Sequence, residues 1–291
     1  EKVSDIKIFG LIGLLENRKG HHVIDWNDAF DNSGYVPGSD ALPAQWALNA
    51  DAFRNAQVAD GRAQLDTSYG LQEREVVDIF TSADAPKGTV IFIHGGYWHK
   101  LDKSYWSHLA QGALSHDWAF AVPSYPLAPD ARISDITMSI ARCLTWFAGQ
   151  FDGPLRLVGH SAGGHLVARM ICEGVLPSEI TNRIERVVPI SGVHHLEPLL
   201  HTKMNETLNL TPQEATAESP VLLEPVPDIP VTFWVGADER PEFLRQNRMA
   251  AETWARKGAK VASCYDPDQD HFSVIAGLAE GDSPLIQEVL Q

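Results

Sequence analysis

Ser161 stands between glycines in "RLVGHSAGGHLVAR", residues 156 to 169, where a strand-like apolar run gives way to a helix-like pattern. The spacing Gly159-x-Ser161-x-Gly163 is what a nucleophilic serine on a strained strand-to-helix turn needs, because side chains at either glycine would clash with closely approaching chain. Such a turn lifts the hydroxyl clear of the sheet. It also sets the next backbone N–H, that of Ala162, where an oxyanion would form. Glycine-rich turns also serve packing alone, so the pattern has to be read with its partners.

A serine hydroxyl is a weak nucleophile unless a base stands beside it. Of the 12 histidines, His271 in "YDPDQDHF" sits on a loop after the last strand-like run, where this chain order puts the base. His94, His99, His108, His116, His160, His165, His194, His195 and His201 read as structural or surface groups. The adjacent pairs His21-His22 and His194-His195 are poorly disposed to ligate one metal ion. A third member must be a carboxylate that fixes the imidazole tautomer. It belongs just past "VTFWVG", where Asp238 and Glu239 follow one another. The common G-x-x-acid spacing favours Glu239, and the general preference for aspartate favours Asp238. Finally, "IFIHGGYWHK" carries a His-Gly-Gly turn after a strand, so the N–H groups of Gly95 and Gly96 can aim at the same oxyanion, with His94 as a support.

The elements that must position these residues begin at "REVVDIFTS". From there short β-branched runs alternate with helical patterns, the signature of a mainly parallel sheet covered on both faces. Strands are expected at 75–80, 89–95, 119–125, 155–160, 186–191, 231–236 and 261–266, and helices at about 104–116, 133–150, 163–173, 241–257 and 282–290. In "ISDITMSIARCLTWF" the residues Ile133, Ile136, Ile140, Leu144 and Phe147 mark one buried face, with Ser134 or Asp135 as its cap. Residues 1 to about 70 read as irregular, punctuated by Trp26, Tyr35 and Trp46. We therefore expect an N-terminal extension or cap over 1–68 and a catalytic domain over 69–291. Within the latter, the long segment 194–228 is expected to be a lid or binding insertion. Its sequons at Asn205 and Asn209 matter only in a secreted protein.

Composition bounds the alternatives. The chain has 291 residues, is 44% apolar and can fill a sizeable core. Its net charge of −15 gives no basic face for nucleic acid. Cys143, Cys172 and Cys264 form no close pair, which argues against a disulfide framework and fits a reducing, cytoplasmic setting. The run "IFGLIGLL", 8 to 15, is too short to span a bilayer. It reads as a packing surface, on its own domain or on a second subunit of a homodimer.

With these pieces in place the sequence resembles the α/β-hydrolases, and within them the arylformamidases or kynurenine formamidases. "HGGYW" (94–98), "GHSAGGHL" (159–166), "ERPEFLRQ" (239–246) and "DHF" (270–272) carry the likeness, which runs from Tyr69 to Phe272. It implies an α/β-hydrolase fold with Ser161 as nucleophile, His271 as base and acid, and Gly95, Gly96 and Ala162 as oxyanion donors. The family's Asp-Ser-Pro-Glu-Phe, aligned on Pro241-Glu242-Phe243, puts Glu239 at the acid's position in place of aspartate. The implied reaction is hydrolysis of N-formyl-L-kynurenine to L-kynurenine and formate in tryptophan catabolism, with no metal or organic cofactor. The partner implied is a small aromatic formamide or ester, with no membrane or nucleic acid. Tyr97 and Trp98 are expected to wall an aromatic pocket, with Trp26, Tyr35, Trp106 and the 194–228 insertion around it and Ser191 a weaker candidate. "SYPLAPDARISDI" also resembles related carboxylesterases, so a short-chain ester is the alternative substrate. A non-catalytic binding module would lack a triad member, and none is missing here.

Overall fold

A computed structural model describes residues 14–16, 22–82 and 85–291. The apolar run 8–15 and the His21-His22 pair thus fall largely outside the described residues. A short antiparallel ribbon joins β1 (Leu14–Glu16) to β2 (His22–Ile24). The main sheet has eight strands: β3 (Ala63–Ser68), β4 (Val76–Phe80), β5 (Thr89–Ile93), β6 (Ala119–Pro123), β7 (Leu155–His160), β8 (Ile184–Ile190), β9 (Val231–Gly236) and β10 (Val261–Asp266). Their order is β10-β9-β8-β7-β5-β6-β4-β3. Pairing is parallel from β10 through β6, and antiparallel for β6 with β4 and β4 with β3. Every residue of β5, β6, β7 and β9 is buried, as a sheet covered on both faces requires.

All the strands expected from the β-branched runs form. The helix Ile133–Gln150 buries the predicted Ile133, Ile136, Ile140, Leu144 and Phe147. It packs against one face of the sheet with the helix Ala162–Met170 and with Phe243, Ala250 and Trp254 of the helix Pro241–Arg256. Of its two expected caps, Asp135 closes the first turn by accepting from the Arg132 N–H at 3.0 Å. On the other face Leu285, Ile286 and Val289 of the helix Pro284–Leu290 join Trp106, Phe92 and Phe120.

Two expectations need correction. The described residues from 22 to about 70 are not irregular: Leu42–Ala59 is a helix and β3 is an edge strand of the main sheet. The helix lays Trp46, Ala50 and Phe53 on the core, but apolar Leu48 and Val58 stand exposed and blur that stripe in the sequence; Pro43 sits in its first turn. In β3 the register shifts between Gln64 and Thr67, and Asp66 takes φ 51°, which erases alternation. The helix expected over 104–116 is also divided, into 3₁₀ turns at Lys103–Tyr105 and Ser107–Leu109 and a helix at Ala110–Leu114. There Asp102 caps the Ser104 N–H at 2.7 Å and buried Lys103 pairs with Asp78 at 2.7 Å, which ties the first turn to β4.

The segment 194–228 folds into short helical pieces at Glu197–His201, Asn205–Leu208, Pro212–Ala217 and Pro220–Leu222. Glu218 pins it: its carboxylate accepts from Arg169 at 3.0 and 3.2 Å and from the Thr137 hydroxyl at 2.7 Å. Among the described residues no helix is long and apolar enough to cross a membrane.

Candidate active site

Ser161 lies between β7 and the helix Ala162–Met170 with φ 55° and ψ −116°, a conformation that non-glycine residues hold only when their surroundings impose it. The flanking glycines explain how it is imposed. A Cβ at Gly159 would lie 2.2 Å from the Gly163 carbonyl oxygen, and one at Gly163 would lie 1.9 Å from that of Ile93. The Ser161 N–H donates to Ile190 at 2.8 Å, which ties the turn to β8. Ala162 opens the helix, so its N–H has no acceptor within it.

The His-Gly-Gly turn abuts this elbow. A Cβ at Gly95 would touch the Ser161 Cβ and the His160 carbonyl oxygen at 3.0 Å. Gly96 has φ 112°, and its carbonyl accepts the N–H groups of His99 and Lys100 at 3.1 and 3.0 Å. His94 is buried beneath, with its ring stacked on Tyr125 at 4.4 Å, and burial holds its pKa down at about 4.

His271 follows β10, and its Nδ1 is 2.6 Å from Glu239 Oε2. The other carboxylate oxygen of Glu239 accepts the Gly236 N–H at 2.9 Å and the Ser191 hydroxyl. Asp238 is exposed and, among the described residues, only its backbone is engaged, its N–H donating to the Gln269 carbonyl at 3.0 Å. His160 holds the His271 loop from below, donating from Nε2 to the His271 carbonyl at 2.8 Å; burial, and then the neighbouring His271, keep its pKa well below the usual range. No hydrogen bond joins Ser161 Oγ to His271 among the described residues, but both side chains face one cavity, as in many unliganded sites.

That cavity has a volume of about 450 Å³. Ser161, His271, Gly95 and Gly96 line it together with Phe30, Trp46, Tyr97, Trp106 and Phe272. Asn27, Asp31 and Asn32 from the N-terminal segment and Thr202 and Met204 from the insertion complete its rim. Tyr97 donates from its hydroxyl to the Phe30 carbonyl at 2.6 Å and accepts from Asn32 at 3.3 Å, locking that segment over the site. Trp98, expected beside it, turns into the core instead, fully buried edge-on to His165 at 5.1 Å. Trp26 packs on Phe30, and Tyr35 lies beneath the Arg240 guanidinium, so neither lines the cavity. Phe30 carries no local motif that would have marked it, and Ser191, a weaker candidate for the pocket wall, meets Glu239 instead of lining the cavity.

A strained serine at a parallel-strand elbow, beside a buried histidine and carboxylate on the loops after β10 and β9, defines the class. Residues 90–284 match the model of the alpha/beta hydrolase family, and the chain belongs to that family, among its arylformamidase-like enzymes. It is 30% identical over 276 residues to kynurenine formamidase of Salmo salar, a match covering 86% of this chain and 92% of that protein. With kynurenine formamidase of Danio rerio the identity is 29% over 240 residues, covering 78% and 80%. Among solved structures, a candidate thioesterase from Silicibacter sp. tm1040 is similar at a TM-score of 0.88 and 44% identity, covering 92% of this chain and 99% of that one.

Proposed function

We propose that the protein hydrolyses aryl formamides, with N-formyl-L-kynurenine as substrate and L-kynurenine and formate as products. Ser161, His271 and Glu239 act as nucleophile, base and acid. One observation carries this reading: the cavity that holds Ser161 and His271 is walled by aromatic rings while its rim carries charge of both signs. The rings suit an aryl group. Asp31 and Lys100 line the same cavity, neither is in an ion pair among the described residues, and together they suit the ammonium and carboxylate of an amino-acid tail.

In this scheme Ser161 Oγ attacks the formyl carbon as His271 Nε2 takes the hydroxyl proton. Glu239 accepts from Nδ1–H and stabilises the imidazolium. The backbone N–H groups of Ala162, Gly95 and Gly96 receive the oxyanion. Collapse breaks the C–N bond, and His271 returns its proton to the leaving arylamine. Water, activated by the same histidine, then cleaves the formyl ester on Ser161 and releases formate.

Ester or thioester hydrolysis is the second reading, favoured by the 44% identity to the candidate thioesterase and by the ease with which a triad cleaves esters. Both readings need Ser161. A fluorophosphonate or other serine-directed organophosphate should add one mass equivalent to the wild type and none to Ser161→Ala. Labelling that persists in the variant would mean another nucleophile.

A further inference from the structure

We propose that Ser191 is a positioning residue that makes a glutamate workable as the triad acid; this rests on the reading of Glu239 given above. Ser191 follows β8, is fully buried and has φ 52°. A serine adopts that left-handed backbone only where surrounding structure holds it, and here its N–H is fixed to the Trp234 carbonyl at 2.7 Å. The turn aims its hydroxyl at Glu239 Oε1, the oxygen that also accepts from the Gly236 N–H at 2.9 Å. A glutamate has one rotatable bond more than an aspartate, so its carboxylate needs more contacts to hold one orientation. With Oε1 fixed by two donors from separate strand ends, Oε2 is left facing His271 Nδ1. Ser191 does not line the cavity, so it acts through the acid and not on substrate.

Ser191→Gly removes the hydroxyl and suits the left-handed backbone, so the variant should fold with an unfolding midpoint near that of the wild type. With p-nitrophenyl acetate as probe, kcat should fall about 10- to 100-fold at nearly unchanged KM, the loss expected for a hydrogen bond to a charged group. The far-downfield proton resonance of His271 Nδ1–H should broaden or vanish. In a Glu239→Gln background, Ser191→Gly should cost little more, because both changes disable one unit. Activity within twofold of wild type for the single variant, or an undiminished further loss in the Glu239→Gln background, would overturn the proposal. Full activity of Glu239→Gln alone would instead remove the acid assignment, and the role of Ser191 with it.

Discussion

Asp238 and Glu239 are neighbours in sequence, yet one side chain is in water and the other is 3% exposed against His271. The difference follows from the turn after β9: the Glu239 N–H is bonded back to the Gly236 carbonyl at 3.3 Å while Asp238 pairs outward with Gln269. Glu239→Gln should therefore lower kcat by about 10⁴-fold, the order seen when a triad carboxylate becomes an amide and the imidazole is held in the wrong tautomer. Asp238→Asn should change it by less than about twofold. Steady-state kinetics on the two variants side by side decide the assignment, and a large loss confined to Asp238→Asn would reverse it.

At the scale of elements, the cavity is built from pieces remote in sequence. Asp28 of the N-terminal segment pairs with Arg240, next to Glu239, and Asn27 accepts the Lys203 N–H of the insertion at 2.7 Å. The insertion is in turn held by the buried Arg169–Glu218 pair, whose rupture leaves an uncompensated cation. Glu218→Gln should cost about 3–5 kcal/mol in urea unfolding; a loss below about 1 kcal/mol would mean that the insertion is anchored elsewhere. These links explain what the sequence could disclose. Strands β5 to β9, the elbow and the His-Gly-Gly turn were legible because parallel strands buried within the sheet read as apolar runs and the glycines answer to local clashes. The helix Leu42–Ala59, whose Trp46 reaches the cavity, was not, because the exposed Leu48 and Val58 mask the spacing of Trp46, Ala50 and Phe53. Trp98 could not be told from Tyr97, since adjacent positive-φ residues, at 58° and 49°, send their side chains to opposite fates.

Across the whole molecule, folding buries imidazoles that must stay neutral. Burial lowers the pKa values of His94 and His165 to about 4 and that of His194 to about 3 from an ordinary 6.5. Between pH 6.5 and 4 the unfolded chain binds these protons and the native state does not, so stability falls as pH falls, by of order 1 kcal/mol per unit for each ring. Urea midpoints measured over that window should drop steadily, and His194→Phe should flatten the slope; a flat wild-type profile would contradict the buried neutral rings. The central proposal is that Ser161 cleaves a formamide carrying an aromatic amino-acid tail. The measurement that tests it is kcat/KM for N-formyl-L-kynurenine and for p-nitrophenyl acetate on the same preparation, with Ser161→Ala as control. We predict stoichiometric release of L-kynurenine and formate by the wild type and none by the variant. Ester turnover without formamide turnover would contradict the account.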